Sequence, residues 1–259
     1  MFKYDKFDLT GKVAICAGGS SGLGYQFARA LASAGADVAL VARRVDRLEE
    51  NAAAISKDYG VKAYAHYMDL TKPETITTAV EDVLKEFGHI DILCNSAGVP
   101  CRNVAEECSY EDWMLVLDSD LNGPFWLMHE VVRLAMKPQM YGKIINIASI
   151  HAYVSRIGYN TNAYCAAKGG LLNLTRSLGN EWAKYNITVN GIAPGYFPSE
   201  LTAKYIDTPE FKQTCEVYSS FGRPGITGEM DGLCIYLASD ASSFTTGQTI
   251  AVDGGWLTV

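Results

Sequence analysis

The stretch from Lys12 to Ala34 constrains the fold more than any other. Lys12-Val-Ala-Ile-Cys-Ala17 is a short apolar run of the kind that forms a buried strand. It passes at once into Gly18-Gly19-Ser20-Ser21-Gly22-Leu23-Gly24, and apolar residues at helical spacing then continue to Ala34. Strand, glycine loop and helix in that order make a cradle for a pyrophosphate. The glycines permit a tight turn and close backbone approach, and the helix N-terminus supplies free N–H groups and the positive end of a dipole. The spacing is G-x3-G-x-G, not G-x-G-x-x-G, so the loop in isolation reads equally as a flexible turn. Its position between strand and helix favours a nucleotide loop, with Gly18, Ser20, Ser21, Gly22, Leu23 and Gly24 as the contacts.

The alternation then repeats. Strands are predicted at Asp37 to Ala42, Val61 to Tyr67 (closing at Asp69-Leu70), Asp91 to Asn95, Lys143 to Ala148, Ile187 to Ala193 and Thr249 to Val252. Between them lie helices from Val45 to Tyr59, Pro73 to Phe87, about Tyr110 to Met136, one carrying Tyr164 and Lys168 that runs to about Lys184, and one near Glu229 to Ala238. With no linker and no internal repeat, about seven strands imply an α/β chain: one domain over residues 1–259, built on a doubly wound parallel sheet. Residues 196 to 221 are aromatic and broken by Pro198 and Pro209, which marks them as a mobile lid over the substrate.

Charge and cysteine usage exclude several classes of function. The net charge is −7, without a basic run, which argues against nucleic acid or an anionic membrane as partner. The polar start lacks a signal peptide's apolar segment, and no apolar stretch approaches the roughly 20 residues of a membrane span. The seven cysteines are odd in number and form no C-x-x-C pair; Cys94, Cys101 and Cys108 recur every seven residues without a histidine among them. They read as unpaired structural thiols of a cytoplasmic protein, with no metal site.

Two patterns carry chemistry. Tyr164 and Lys168, four residues apart, share one helix face. A free phenol has a pKa of roughly 10. A neighbouring ammonium favours the phenolate and so brings Tyr164 towards the working range of a general acid–base. Ser149 ends the apolar run Ile145-Asn-Ile-Ala-Ser149, where a buried strand emerges into a loop. Serine, tyrosine and lysine together suit proton exchange with a carbonyl or alcohol oxygen. The second pattern is the end of the Asp37 strand, where an NAD site usually holds a carboxylate for the ribose. Here Ala42 is followed by Arg43 and Arg44, which suit a 2′-phosphate, so NADP(H) is expected in preference to NAD(H).

With these pieces in order, the chain resembles the short-chain dehydrogenase/reductase family over essentially its whole length. Gly18-x3-Gly22-x-Gly24 is similar to the family's cofactor loop, and Asn95-Ser-Ala97-Gly98 to its N-N-A-G. Pro194-Gly195 is similar to the turn over the nicotinamide, and Asp253-Gly-Gly to the C-terminal signature. The resemblance implies a Rossmann NAD(P)-binding domain in which Asp69 and Leu70 border the adenine, and Asn95, Ala97, Gly98, Pro194, Gly195 and Phe197 contact the cofactor. It implies that Tyr164 exchanges a proton with substrate while hydride moves to or from the nicotinamide. Lys168 would tune that tyrosine and hold the ribose, and Ser149 would orient the carbonyl. A homotetramer is also implied. The departures are Ala17 for threonine, Ser96 for the second asparagine, and a Ser149–Tyr164 interval two residues longer than usual, which makes Ser155 a substitute candidate. Asp120 stands where the family carries a catalytic asparagine, with Asn122 as the nearby alternative.

The function expected is interconversion of a secondary alcohol and a ketone, acting on a small molecule. Aromatic residues crowd residues 196 to 221, and His151, Tyr153 and Tyr159 lie between Ser149 and Tyr164. His151 and Tyr196 join Ser149 and Tyr164 as substrate contacts. An aromatic-lined pocket suits a hydroxysteroid or bile acid. The alternative is a sugar-acid or polyol dehydrogenase of the gluconate or sorbose type, with Arg102 or Arg156 meeting a carboxylate and half the aromatics packing the lid. A lyase or epimerase, or a regulator that binds cofactor without chemistry, completes the set.

Overall fold

The structure, a computed structural model, describes residues 5–99, 103–156, 158 and 160–258. Seven strands form one parallel sheet: β1 (Val13–Ala17), β2 (Asp37–Ala42), β3 (Ala63–Tyr67), β4 (Ile92–Asn95), β5 (Gly142–Ile147), β6 (Ile187–Pro194) and β7 (Thr249–Val252), in the order β3-β2-β1-β4-β5-β6-β7. Parallel strands need long crossovers, and helices supply most of them: α1 (Gly22–Ser33), α2 (Val45–Tyr59), α3 (Pro73–Phe87), α4 (Tyr110–Leu117) continuing through α5 (Gly123–Val131) to α6 (Lys137–Gln139), α7 (Asn162–Glu181), α8 (Pro209–Tyr218) and α9 (Asp231–Ala238). The doubly wound sheet expected from the alternation is present.

Both faces of the sheet are covered, so its strands read as near-continuous apolar runs. Side chains alternate across β1: Val13, Ile15 and Ala17 join a core with α3, α5 and α7, while Ala14 and Cys16 join a second core with α1, α2 and α9. Helix ends follow their sequence signals. Pro73 occupies the first turn of α3, and Gly60 and Gly88 close α2 and α3 in the left-handed conformation at φ 70° and 83°.

Two local expectations change. Pro209 does not break the 196–221 segment; it opens α8, where Thr208 caps the helix by accepting a hydrogen bond from the Phe211 amide. The long helix expected from Tyr110 is interrupted by two wide, π-type turns, Asp118–Asn122 and Val132–Met136. The first adds a residue to its turn beside the sheet's carboxyl edge, and Asp120, within this turn, is wholly buried.

Gly24 in the first turn of α1 packs against the loop it follows. A Cβ there would lie 2.3 Å from the Gly18 carbonyl oxygen, so α1 could not sit so close to β1 with any other residue. Gly24→Ala is expected to cost about 1–3 kcal/mol, read as a lower urea midpoint at unchanged slope.

Candidate active site

β1 and β4 lie side by side at the centre of the sheet, and their following helices leave to opposite faces. The crevice above their carboxyl ends is where an open α/β sheet binds ligands. A cavity of about 740 Å³ runs there, from the end of β2 past β1 and β4 to the ends of β5 and β6.

The glycine loop forms its floor at one end. Gly18 has φ +80°, and a Cβ on it would approach the Ala97 amide nitrogen to 2.9 Å, so loop and β4 turn fit only around a glycine. Ser21 precedes α1 without its side chain capping the helix, which leaves the first-turn amides of Gly22, Leu23 and Gly24 for a ligand. Asp69 and Leu70 line the wall, and the Asp69 carboxylate is held by the Thr71 amide and hydroxyl at 3.0 and 2.9 Å. Asn95 lies beneath the crevice and not on its wall. It donates to Asn146 at 2.9 Å, and Asn146 donates to Thr175 at 2.9 Å, which ties β4, β5 and α7 together. Asn95 Oδ1 and Ser96 Oγ are buried without a hydrogen-bond partner among the described residues. Ala97, Gly98, Pro194, Gly195 and Phe197 complete the cavity wall.

The two arginines part company. Arg43 stands exposed at the end of β2 on the cavity wall. Arg44 is engaged by Ser20, Ser21 and Glu200.

At the other end, one turn of α7 carries both Tyr164 and Lys168. Lys168 is buried; its Nζ donates to the Ile147 carbonyl at 3.0 Å and pairs with Asp120 Oδ2 at 3.2 Å. Asp120 is wholly buried, and its other oxygen accepts from the Val99 amide at 2.8 Å. Asn122 instead donates to Asp118 at 2.8 Å within its own turn, so Asp120 is the residue of the two that reaches the lysine. Burial opposes the Lys168 ammonium, but Asp120 and Tyr164 outweigh it and hold its pKa above the ordinary lysine value. For Asp120, burial prevails over Lys168 and the Val99 amide and raises the carboxyl.

The Tyr164 phenol lies above its ordinary pKa, not below it as the lysine alone suggested. Burial is the largest cause and Asp120 adds to it, while Lys168 and a hydrogen bond from Ser149 act the other way. Ser149 emerges from β5 beside the tyrosine and also accepts from the His151 amide at 3.1 Å. Ser155 is exposed, so the longer interval does not displace Ser149 from the site.

His151 and Tyr196 lie behind this wall. The His151 ring is edge-on to Tyr164 at 6.1 Å and to Tyr196 at 6.2 Å. Tyr196 packs with Tyr205, Phe211 and Trp256 at 4.9 to 6.5 Å, so these aromatics mostly fill one another and do not line the large cavity. Arg156 lies over the rings of Tyr196 and Phe211 and donates to Thr214 at 3.2 Å. Tyr159 and Arg102 lie outside the described residues. Sequence reasoning missed Ser119, Asn146, Ser199, Glu200 and Thr202. Only the position of the last three, next to Phe197, signalled them.

A nicotinamide dinucleotide fits these residues: a glycine cradle that a Cβ would fill, open helix amides, orphaned polar atoms on the floor and a lysine deep in the crevice. The family model for enoyl-(acyl carrier protein) reductase matches residues 17–257. The chain is a short-chain dehydrogenase/reductase. Within the family it is 35% identical to a gluconate 5-dehydrogenase of Gluconobacter oxydans, over 97% of this chain and 96% of the relative. It is 38% identical to a 2-dehydro-3-deoxy-D-gluconate 5-dehydrogenase of Formosa agariphila, over 98% and 95%. Among solved structures, a gluconate 5-dehydrogenase from Burkholderia cenocepacia in complex with NADP and tartrate superposes with a TM-score of 0.93 at 34% identity, covering 98% of both chains. The protein is an NAD(P)-dependent oxidoreductase acting on CH–OH groups.

The buried carboxylate sets a pH prediction. A raised phenol keeps its proton to higher pH, which delays its availability as a base for alcohol oxidation. Asp120→Asn removes one cause of that elevation and is expected to move the rising limb of the oxidation pH–rate profile to lower pH. An unmoved limb would show that the Asp120 charge does not reach the titrating group.

Proposed function

We propose that the protein is an NADP(H)-dependent dehydrogenase of a sugar acid or related polyol, converting one secondary alcohol to a ketone and back. One observation carries this reading over the bulky alicyclic substrate. Tyr196, Tyr205 and Phe211 of the 196–221 segment pack against one another, and Tyr196 and Tyr218 pack against Trp256, while Ser119, Ser149, Tyr164, Ala148 and Gly98 are among the residues that wall the far end of the cavity. A wall of hydroxyls and peptide groups suits a substrate bearing hydroxyls on successive carbons. The whole-chain likeness to sugar-acid dehydrogenases, one of them bound to the hydroxy acid tartrate, supports the same class.

In this proposal the bound dinucleotide supplies or accepts the hydride. Tyr164 gives a proton to the ketone oxygen, or takes one from the alcohol, and Ser149 holds the same oxygen by a hydrogen bond that strengthens as charge develops. Lys168 has three N–H donors; Nζ donates to Ile147 and is ion-paired with Asp120, and because the residue also lines the cavity, its remaining donor capacity serves the ribose and proton resupply. NADP(H) is favoured by Arg43 at a strand end that carries no carboxylate, and by the relative that binds NADP. The segment 196–221 closes over the substrate. A homotetramer belongs to the same proposal, supported by the exposed Tyr110, Leu115 and Trp126 along α4 and α5; light scattering returning a monomer mass at micromolar concentration would refute it.

The test follows nicotinamide absorbance with gluconate, 2-dehydro-3-deoxy-D-gluconate, mannitol and a hydroxysteroid under NADP⁺, and with sorbose under NADPH. Turnover of a sugar acid or polyol, with none of the steroid, is expected. Tyr164→Phe is expected to lower that turnover by about 10²–10⁴ while retaining NADPH binding. A steroid turned over in preference to every polyol would overturn the substrate class, and a Phe variant with over about a tenth of the rate would remove Tyr164 from the proton step.

A further inference from the structure

The adenosine end of the cavity contains a knot that joins three distant parts of the chain. Arg44, at the entry to α2, sends Nε and Nη2 to Ser20 Oγ at 3.3 and 3.1 Å, and Nη2 to Ser21 Oγ at 2.7 Å. Its Nη1 and Nη2 also donate to Glu200 Oε1 and Oε2 at 3.1 and 3.0 Å. Arg47, one turn on, donates to Glu200 Oε1 at 2.7 Å. Glu200 follows β6, within the segment that adjoins the substrate end. All of these residues but Arg47 line the large cavity.

The geometry of the Arg44–Glu200 contact is the fork-on-carboxylate arrangement, which a phosphate would take up in the same way. A phosphate on the same Nη1–Nη2 edge would displace the Glu200 carboxylate. As a surface ion pair, with side chains 42% and 51% exposed, the contact contributes little to stability. Its effect falls on what else can bind there.

We propose that Glu200 competes with the adenosine 2′-phosphate of NADP(H) for Arg44. Glu200 thereby limits the preference for NADP(H) over NAD(H), and a 2′-phosphate seated on Arg44 releases the loop after β6 from the glycine loop. This rests on the reading that the Arg43–Arg44 end of the cavity receives the adenosine ribose. Arg43, outside the knot, receives the phosphate in either case.

The test compares binding of 2′,5′-ADP and 5′-AMP, which differ only in the 2′-phosphate, by calorimetry on the whole protein. Glu200→Gln is expected to tighten 2′,5′-ADP about 2- to 10-fold and to leave 5′-AMP within about 2-fold. Glu200→Ala should move in the same direction, which guards against a fault in either variant alone. Against an Arg44→Ala background the gain should vanish. Unchanged or weaker 2′,5′-ADP binding in both Glu200 variants overturns the proposal, as does an equal gain for both nucleotides or a gain that persists without Arg44. Wild-type protein that binds 5′-AMP more tightly than 2′,5′-ADP would refute the NADP(H) preference, yet a selective gain in the Glu200 variants would still uphold the competition.

Discussion

The structure depends on the pairing of β1 with β4 in the middle of a parallel sheet. Every crossover from β1 to β3 carries the chain one way, and every crossover from β4 onward carries it the other. The helices that follow the two central strands therefore diverge, and the sheet edge between them lies open. That opening is wide enough for a dinucleotide only because side chains are missing from it. Gly18 lets the loop touch the turn after β4, Gly24 lets α1 touch the loop, and Gly98 leaves room for the Asp120 carboxylate, which a Cβ would approach to 2.6 Å. Backbone proximity and cavity volume are thus one requirement.

A second constraint lies at the substrate end. Lys168 and Asp120 are both withdrawn from water, and each is tolerable there because of the other. Removing the lysine alone would strand a buried carboxylate, a change that typically costs about 3–5 kcal/mol in such pairs. A loss of function on removing Lys168 would therefore mix stability with chemistry. The pair also anchors architecture: Lys168 reaches the last carbonyl of β5, and Asp120 reaches the turn after β4. The wide turn Asp118–Asn122 is the local distortion that lets one helix residue serve this purpose. The same carboxylate opposes ionisation of Tyr164, so the ion pair that stabilises the lysine works against the phenol beside it.

Much of this was legible in the sequence because it depends on local pattern. The apolar runs marked every strand, and two of them, Asp37–Ala42 and Thr249–Val252, match their predicted limits. Tyr164 and Lys168 had to share a face once they lay on a helix, since four residues make about one turn. The glycine loop, the arginine pair at the end of β2 and the Ser149 exit were legible for the same reason: each is a few consecutive residues whose chemistry is set by their neighbours in the chain. The aromatic residues after Gly195 were legible as a cluster but not as to what they touch: Tyr196, Tyr205 and Phe211 touch one another, while Phe197 joins the core beneath the cavity.

What the sequence by itself determined, then, was the order of elements, the class of cofactor chemistry and many of the residues that line the crevice. Only the tertiary structure decided which of Asp120 and Asn122 meets Lys168, because that depends on a wide turn whose direction no periodicity records. It alone decided that Arg43 and Arg44 have different surroundings. Glu200 lies 156 residues beyond Arg44, and its carboxylate reaches the arginine only because β6 delivers the following loop to the same sheet edge as β1 and β2. Local pattern specifies backbone conformation through short-range sterics and hydrogen bonding. Partners from distant segments are chosen by packing, and packing has no signature until the sheet has formed.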